Sequence, residues 1–219
     1  NQNLLQKVNE SKAVLVTNGA AYPKNRELFQ RVQKAYGEAA VKFSFLDYRP
    51  KSIKPSMWGW LGNYAGFTGY YNPFTGEAQV NTTVPGFLQP FITCHEVAHQ
   101  LGYAKEMEAN FVGYLAAVTS KDTLLHYSCY LDMFLYANNN LRMYDSTMAK
   151  DFRRQLSAPV KSDLEEWIRF SRSHKNFVEP AIRWMYGKYL QGNQQPQGVL
   201  AYDEVTVLLI AYYRKFGEL

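Results

Sequence analysis

The amino-acid sequence predicts an α+β domain that is mostly α, with a small β-hairpin ahead of a central helix. Three observations carry that expectation. Apolar residues recur at helical spacing after Pro23 and again from residue 88 to the C-terminus. Glycine and aromatic residues interleave between residues 43 and 87, where helix is not expected. An Asn72-Pro73-Phe74-Thr75-Gly76 turn sits between two short stretches of strand character.

The N-terminal part reads as helical. Pro23 is tolerated in a first turn, and Leu28, Val32, Ala35, Tyr36 and Ala39 then mark one helix face up to residue 42. Trp58, Gly59, Trp60, Gly62, Tyr64, Gly66, Phe67 and Gly69 follow, too rich in glycine for a helix, since each costs about 1 kcal/mol there relative to alanine. Strands over 67–72 and 77–82 are expected to flank the turn. Helices are expected near 88–101, 106–119, 122–137, 148–156, 163–173, 176–190 and 203–216, with Ser162 and Glu165 as a capping box. We read residues 1–219 as one domain, in which 1–87 form a helical and hairpin part and 88–219 a helical part.

Composition narrows the function. With 47% apolar and 20% charged residues, the chain is globular in character. Its net charge of +5 includes no run of five like charges, so a nucleic-acid interface is not expected. The two cysteines, Cys94 and Cys129, make one bridge or none, and neither belongs to a CxxC metal pair. No apolar run approaches a membrane span of roughly 18 residues. The rings from Trp58 to Tyr71 could pack in the core, line a cleft or rest on a membrane interface.

The chemistry is carried by His95-Glu96-Val97-Ala98-His99, an HExxH sequence. On a helix the two histidines lie about 40° apart, one turn along, so both imidazoles can meet one tetrahedral metal. Glu96 lies about 100° round, able to reach a metal-bound water without becoming a ligand. Cys94, Val97, Ala98 and Leu101 form the apolar back of this helix, and Gly102 offers its stop. A hydrolytic zinc site needs a third protein ligand and one open position. Lys105 occupies the place where the metzincin pattern requires histidine, which excludes that class. Two carboxylates remain, Glu106 and Glu108. Glu108 shares a stripe with Phe111, Val112 and Leu115, while Glu106 lies about 160° away. A carboxylate on a core-facing stripe needs a compensating charge, so Glu108 is the expected third ligand.

From Glu106 to Asn110 the chain resembles the gluzincin metallopeptidases, whose third ligand is a glutamate on the helix after HExxH. Their membrane-embedded CAAX-prenyl and HtpX-type members carry E-x-E-A-D where this chain has Asn110 in place of the aspartate. A nearer resemblance is to an uncharacterised bacterial family, a domain of unknown function. It rests on Thr75–Ala78, Cys94–Phe111, Tyr127-Ser128, Gly198-Val199 and Tyr202, and covers roughly residues 70–216. The resemblance implies a zincin-like fold and an N-terminal membrane anchor absent from this chain, which opens on Asn1. It also implies an extracytoplasmic soluble domain.

The expected activity is that of a zinc-dependent metallohydrolase, a peptidase acting on peptide or protein substrates. Its parts are one Zn2+ per chain on His95, His99 and Glu108, a metal-activated water, and Glu96 as general base. Mn, Fe or Co would fit the same donor set. Tyr127, His126 and Tyr202 are candidates for stabilising the oxyanion, and the strand 77–82 is a candidate edge for an extended peptide. The alternatives are a metal hydrolase acting on another amide or ester, and a non-catalytic, metal-stabilised peptide-binding module.

Overall fold

A computed structural model describes residues 1–49, 52–175, 204–217 and 219. Two helices open the chain, α1 (Gln2–Thr17) and α2 (Arg26–Lys42). The face foreseen for α2 is the buried one: Leu28, Val32, Ala35, Tyr36 and Ala39 are all inside. After a short 3-10 turn (Ser44–Leu46) come β1 (Ile53–Pro55), α3 (Gly59–Ala65), β2 (Gly69–Asn72) and β3 (Glu77–Val80). Then follow α4 (Gln89–Gln100), α5 (Glu106–Thr119), α6 (Thr123–Tyr144), α7 (Ser146–Arg154) and α8 (Ala158–Ser173). A C-terminal helix spans Glu204–Phe216. The architecture is therefore mostly α with a small sheet, as the sequence predicts.

The core lies between helices. α4 packs against α5, α1 runs along α6, and α2 covers α5. Tyr36, Phe87, Tyr114 and Phe134 are among the large side chains removed from solvent. The sheet lies beside α4, in the order β1-β3-β2. β1 runs parallel to β3, with Ile53 opposite Ala78. β2 runs antiparallel to it, with Gly69 opposite Val80 and Asn72 opposite Glu77. Ala78 and Val80 are buried while Glu77 and Gln79 are half-buried, the alternation of a strand with one face on a core. Gln100, at the end of α4, ties helix to sheet: its Nε2 donates to the carbonyls of Ser52 (3.1 Å) and Gly76 (2.6 Å). The hairpin turn closes through Gly76 N–H donating to Asn72 O at 2.8 Å, with Gly76 at φ +68°. Asn72 Oδ1 accepts from the Phe74 amide at 3.0 Å.

Four sequence expectations need correction or fall outside this description. Strand β3 is the central strand, not an edge. The unforeseen three-residue β1 occupies one side of it, so among the described residues the unpaired edge next to the hairpin belongs to β2. The glycine-rich stretch does contain a helix, α3. Its glycines are used for close approach: a Cβ on Gly59 would stand 2.7 Å from Asn81 Oδ1, and one on Gly62 2.7 Å from the Phe67 ring. Packing that only glycine permits outweighs its low propensity. Helix α8 starts at Ala158, with Pro159 in its first turn, so Ser162 is interior and caps nothing. The helix expected over 176–190 lies outside the described residues. Cys94 and Cys129 are buried free thiols.

Candidate metal centre

Helix α4 holds the HExxH residues in a frame built by its neighbours. At its N-terminus the Phe91 amide donates to Ser128 Oγ (3.0 Å), and that hydroxyl donates to Leu88 O (3.2 Å), so α6 caps α4. Midway, the buried Tyr36 hydroxyl of α2 donates to the Cys94 carbonyl at 2.6 Å. At the C-terminus Gly102, at φ +108°, ends the helix in a Schellman motif. Gly102 N–H donates to His99 O (3.0 Å) and Tyr103 N–H to Ala98 O (3.2 Å).

That turn also builds the site. It places the Tyr103 carbonyl 2.7 Å from His99 Nδ1, which donates to it. His95 Nδ1 in turn donates to Asn110 Oδ1 at 2.8 Å. With both Nδ1 atoms engaged behind them, the rings present Nε2 to a common point, where the two Nε2 atoms stand 3.1 Å apart. A hydrogen bond that fixes the second ring nitrogen is what orients a metal-binding imidazole.

The third group at this point is Glu106. Its carboxylate lies 3.2 Å from His95 Nε2 and 3.8 Å from His99 Nε2. Ligands held about 2.1 Å from a tetrahedral metal stand about 3.4 Å apart, and 3.1, 3.2 and 3.8 Å bracket that separation. Among the described residues, His95, His99 and Glu106 form the one group of such donors placed to share an ion. Two imidazoles and one carboxylate are a donor set that suits zinc and leaves a coordination position open.

Glu108 is therefore corrected as a ligand. Its side chain is 39% exposed and lies 3.7 Å from Lys105 Nζ. The reason is that α5 is buried on two sides. Its face towards α4 is the row Glu106, Ala109, Asn110, Gly113 and Ala117, small residues that allow close approach; a Cβ on Gly113 would stand 3.2 Å from the His95 amide nitrogen. The opposite row, with Phe111, meets the C-terminal helix, where Phe111 packs edge-on to Tyr212. Large apolar residues mark the wrong side of this helix for finding the ligand.

Electrostatics set the groups apart. Burial opposes charge on His95, but its hydrogen bond to Glu106 and the nearby Glu96 raise its pKa to about 9. Burial also works against the Glu106 carboxylate, yet its bonds to His95 and His99 hold it well below the usual carboxylate range. Glu96 is 3% exposed. Burial pushes its pKa up to about 7, against the pull of His95 and His99. Among the described residues, its Oε2 has no hydrogen-bond partner. The carboxylate is covered by strand β2: a Cβ on Gly69 would fall 2.4 Å from Glu96 Oε1. Asp132, on α6, also senses His95; burial raises its pKa to about 7 while His95 pulls the other way. Sequence reasoning passed over Glu106, Gly69 and Asp132. The row of small residues behind Glu106 is the signal that identifies it, whereas the roles of Gly69 and Asp132 depend on contacts between distant segments.

The chain belongs to the DUF3810 family. This is described as a protein of unknown function, and its family model matches residues 1–210. No curated protein and no solved structure matches the chain. Membership of DUF3810 agrees with the expected kinship to an uncharacterised family and extends it to α1 and α2. It brings no activity with it. Among the described residues, no helix is long and apolar enough to cross a membrane.

Of the tyrosines expected to serve the site, the one the structure describes, Tyr127, is engaged elsewhere. Tyr202 lies outside the described residues. Tyr127 is buried and its hydroxyl donates to Asp163 Oδ2 at 2.5 Å. Lys12 Nζ holds the same oxygen at 2.6 Å and also donates to Tyr22 Oη at 3.3 Å. On α6, Tyr127 lies about 140° round from Asp132, the residue that senses His95. Tyr127 joins α1, α6 and α8. We expect Tyr127→Phe to lower stability by about 1.5–3 kcal/mol, the worth of a hydrogen bond to a charged group, and to leave zinc affinity unchanged. Urea unfolding and metal titration of the variant check this. His126 Nε2 is bonded to Ser120 O at 2.7 Å.

Proposed function

We propose that this chain is a metal-dependent hydrolase of zincin-like fold and gluzincin-like ligand set, with zinc as its metal and peptide bonds as its substrate. The observation that carries this reading is Glu96. A buried carboxylate, with one oxygen unpartnered among the described residues, sits beside two imidazole Nε2 atoms and a second carboxylate, Glu106, that converge. A site serving stability alone has no use for such a base and more often carries four protein ligands.

The residues divide the work. His95, His99 and Glu106 would hold the metal, and Asn110 and the Tyr103 carbonyl hold the two rings in the tautomer that presents Nε2. When bound, the metal supplies a polarised water of lowered pKa. Glu96 would take the proton of the attacking water and return it to the leaving amine. Strand β2 supports the peptidase reading. Among the described residues no strand pairs with its outer side, and Gly69 at its start covers Glu96. An extended peptide that pairs with β2 would bring its backbone to that carboxylate.

Glu96→Gln tests the reading. The zinc-loaded wild type is expected to cleave an unfolded protein such as casein. The variant is expected to hold zinc equally and to lose turnover by roughly 10²–10⁴-fold, the contribution of a positioned general base. Cleavage by the variant at the wild-type rate would sink the assignment.

A further inference from the structure

Strand β2 carries its side chains alternately on two faces, and two observations fix which face is which. A Cβ on Gly69 would point at Glu96 of α4. Gly69 lies opposite Val80 and Tyr71 opposite Ala78, and both of these partners are fully buried. Paired residues of antiparallel strands share a face, and so do residues two apart on one strand. Tyr71 therefore stands on the face of β2 that fronts α4, about 7 Å along the strand from Gly69. Tyr70 takes the other face, where its hydroxyl donates to Gln79 Oε1 at 2.5 Å.

The helix beneath gives that position its meaning. Glu96 lies under Gly69, and Gln100, one turn on, donates to the carbonyls of Ser52 and Gly76 near the hairpin turn. Strand and helix thus run side by side in the same sense, and Tyr71 stands beside the turn of α4 from Glu96 to Gln100. His99 belongs to that turn, about 60° round from Glu96. The buried tyrosines Tyr36, Tyr48 and Tyr127 all have their hydroxyls bonded within the fold, as a buried phenol requires. Tyr71 is only half-buried, and among the described residues no hydrogen bond or ring contact engages it. Its hydroxyl is open to a substrate in the cleft between β2 and α4.

We propose that Tyr71 is a catalytic residue whose hydroxyl donates a hydrogen bond to the substrate oxyanion. The proposal rests on the hydrolase reading, in which Tyr127, bonded to Asp163, serves no such role. Water adds to the scissile carbonyl carbon as its proton passes to Glu96, and the π pair of the C=O bond moves onto oxygen. A hydroxyl donor there stabilises that charged oxygen more than it stabilises the neutral carbonyl. The C=O bond re-forms as the C–N bond breaks, the amine leaves with the proton from Glu96, and Tyr71 keeps its own proton throughout. An extended peptide paired with the outer side of β2 would bring a carbonyl to the face that Gly69 and Tyr71 share.

The test is Tyr71→Phe, which removes one oxygen from a half-buried ring. On a peptide taken from a site that the zinc-loaded wild type cuts in casein, kcat should fall by roughly 10²–10³-fold, the worth of one oxyanion donor. KM and zinc content should be unchanged, and circular dichroism checks the fold. A phosphonamidate analogue of that peptide, with an anionic oxygen where the oxyanion forms, should bind the variant more weakly by a similar factor. Glu96→Gln with and without Tyr71→Phe should bind the uncleaved peptide equally. Wild-type kcat in the folded variant would overturn the proposal. So would a changed KM or a changed preference around the cut with kcat retained, since Tyr71 would then be a wall of the cleft. A wild type that holds zinc and cleaves nothing would instead remove the hydrolase reading, and the role of Tyr71 with it.

Discussion

Glu106→Ala is expected to strip the chain of tightly held zinc, while Glu108→Ala is expected to bind zinc as the wild type does. The two carboxylates are two residues apart, and composition gives no reason to prefer one. Geometry separates them. Glu106 stands 3.2 and 3.8 Å from the two imidazole Nε2 atoms. Glu108 is directed to solvent beside Lys105. Loss of Glu106 removes one of three donors, so affinity should fall by more than the roughly 10–100-fold that loss of a partner standing behind a ligand costs. Asn110→Ala, which frees His95 Nδ1, should fall within that smaller range. Competition against a chelator of known affinity measures all three. Equal affinities for Glu106→Ala and the wild type would mean that the third ligand lies elsewhere.

Gly69→Ala is the second large effect. The added methyl carbon would sit 2.4 Å from Glu96 Oε1 and 2.7 Å from its Cγ, closer than such atoms approach in proteins. Either β2 withdraws or the carboxylate turns away. Both remove the base from its place without touching a metal donor. Turnover should fall by at least about 10²-fold, the lower end of what a general base contributes, with zinc content retained. The crowding should also cost about 1–3 kcal/mol of stability. Rate, zinc content and unfolding midpoint on one preparation separate these effects. Full turnover in the folded variant would show that the contact between β2 and Glu96 does not matter to the chemistry.

Periodicity made most of the helices legible, because the core faces of α2, α4 and α6 are rows of large apolar residues. HExxH made two of the proposed donors and the proposed base legible for the same reason: their spacing on one helix. The third proposed donor was hidden by an exception to that rule. Helix α5 meets α4 through Ala109, Gly113 and Ala117, so the face that carries Glu106 is its small-residue face, while the bulky apolar residues share the stripe of Glu108. Helix α3 was hidden likewise, since Gly59 and Gly62 are spent on close contact and propensity counts only their cost. Tyr127 looked catalytic because it lay in a shared stretch. Its partner, Asp163, lies 36 residues away, a pairing that no local pattern announces. Strand β1, three residues long, gave no alternation to read, and without it β3 passed for an edge.

If His95, His99 and Glu106 hold a metal, elemental analysis of the purified chain, prepared without chelator, should find one zinc ion per chain in the wild type and none in His99→Ala. A wild-type chain that takes up no metal when zinc is supplied would overturn the proposed site.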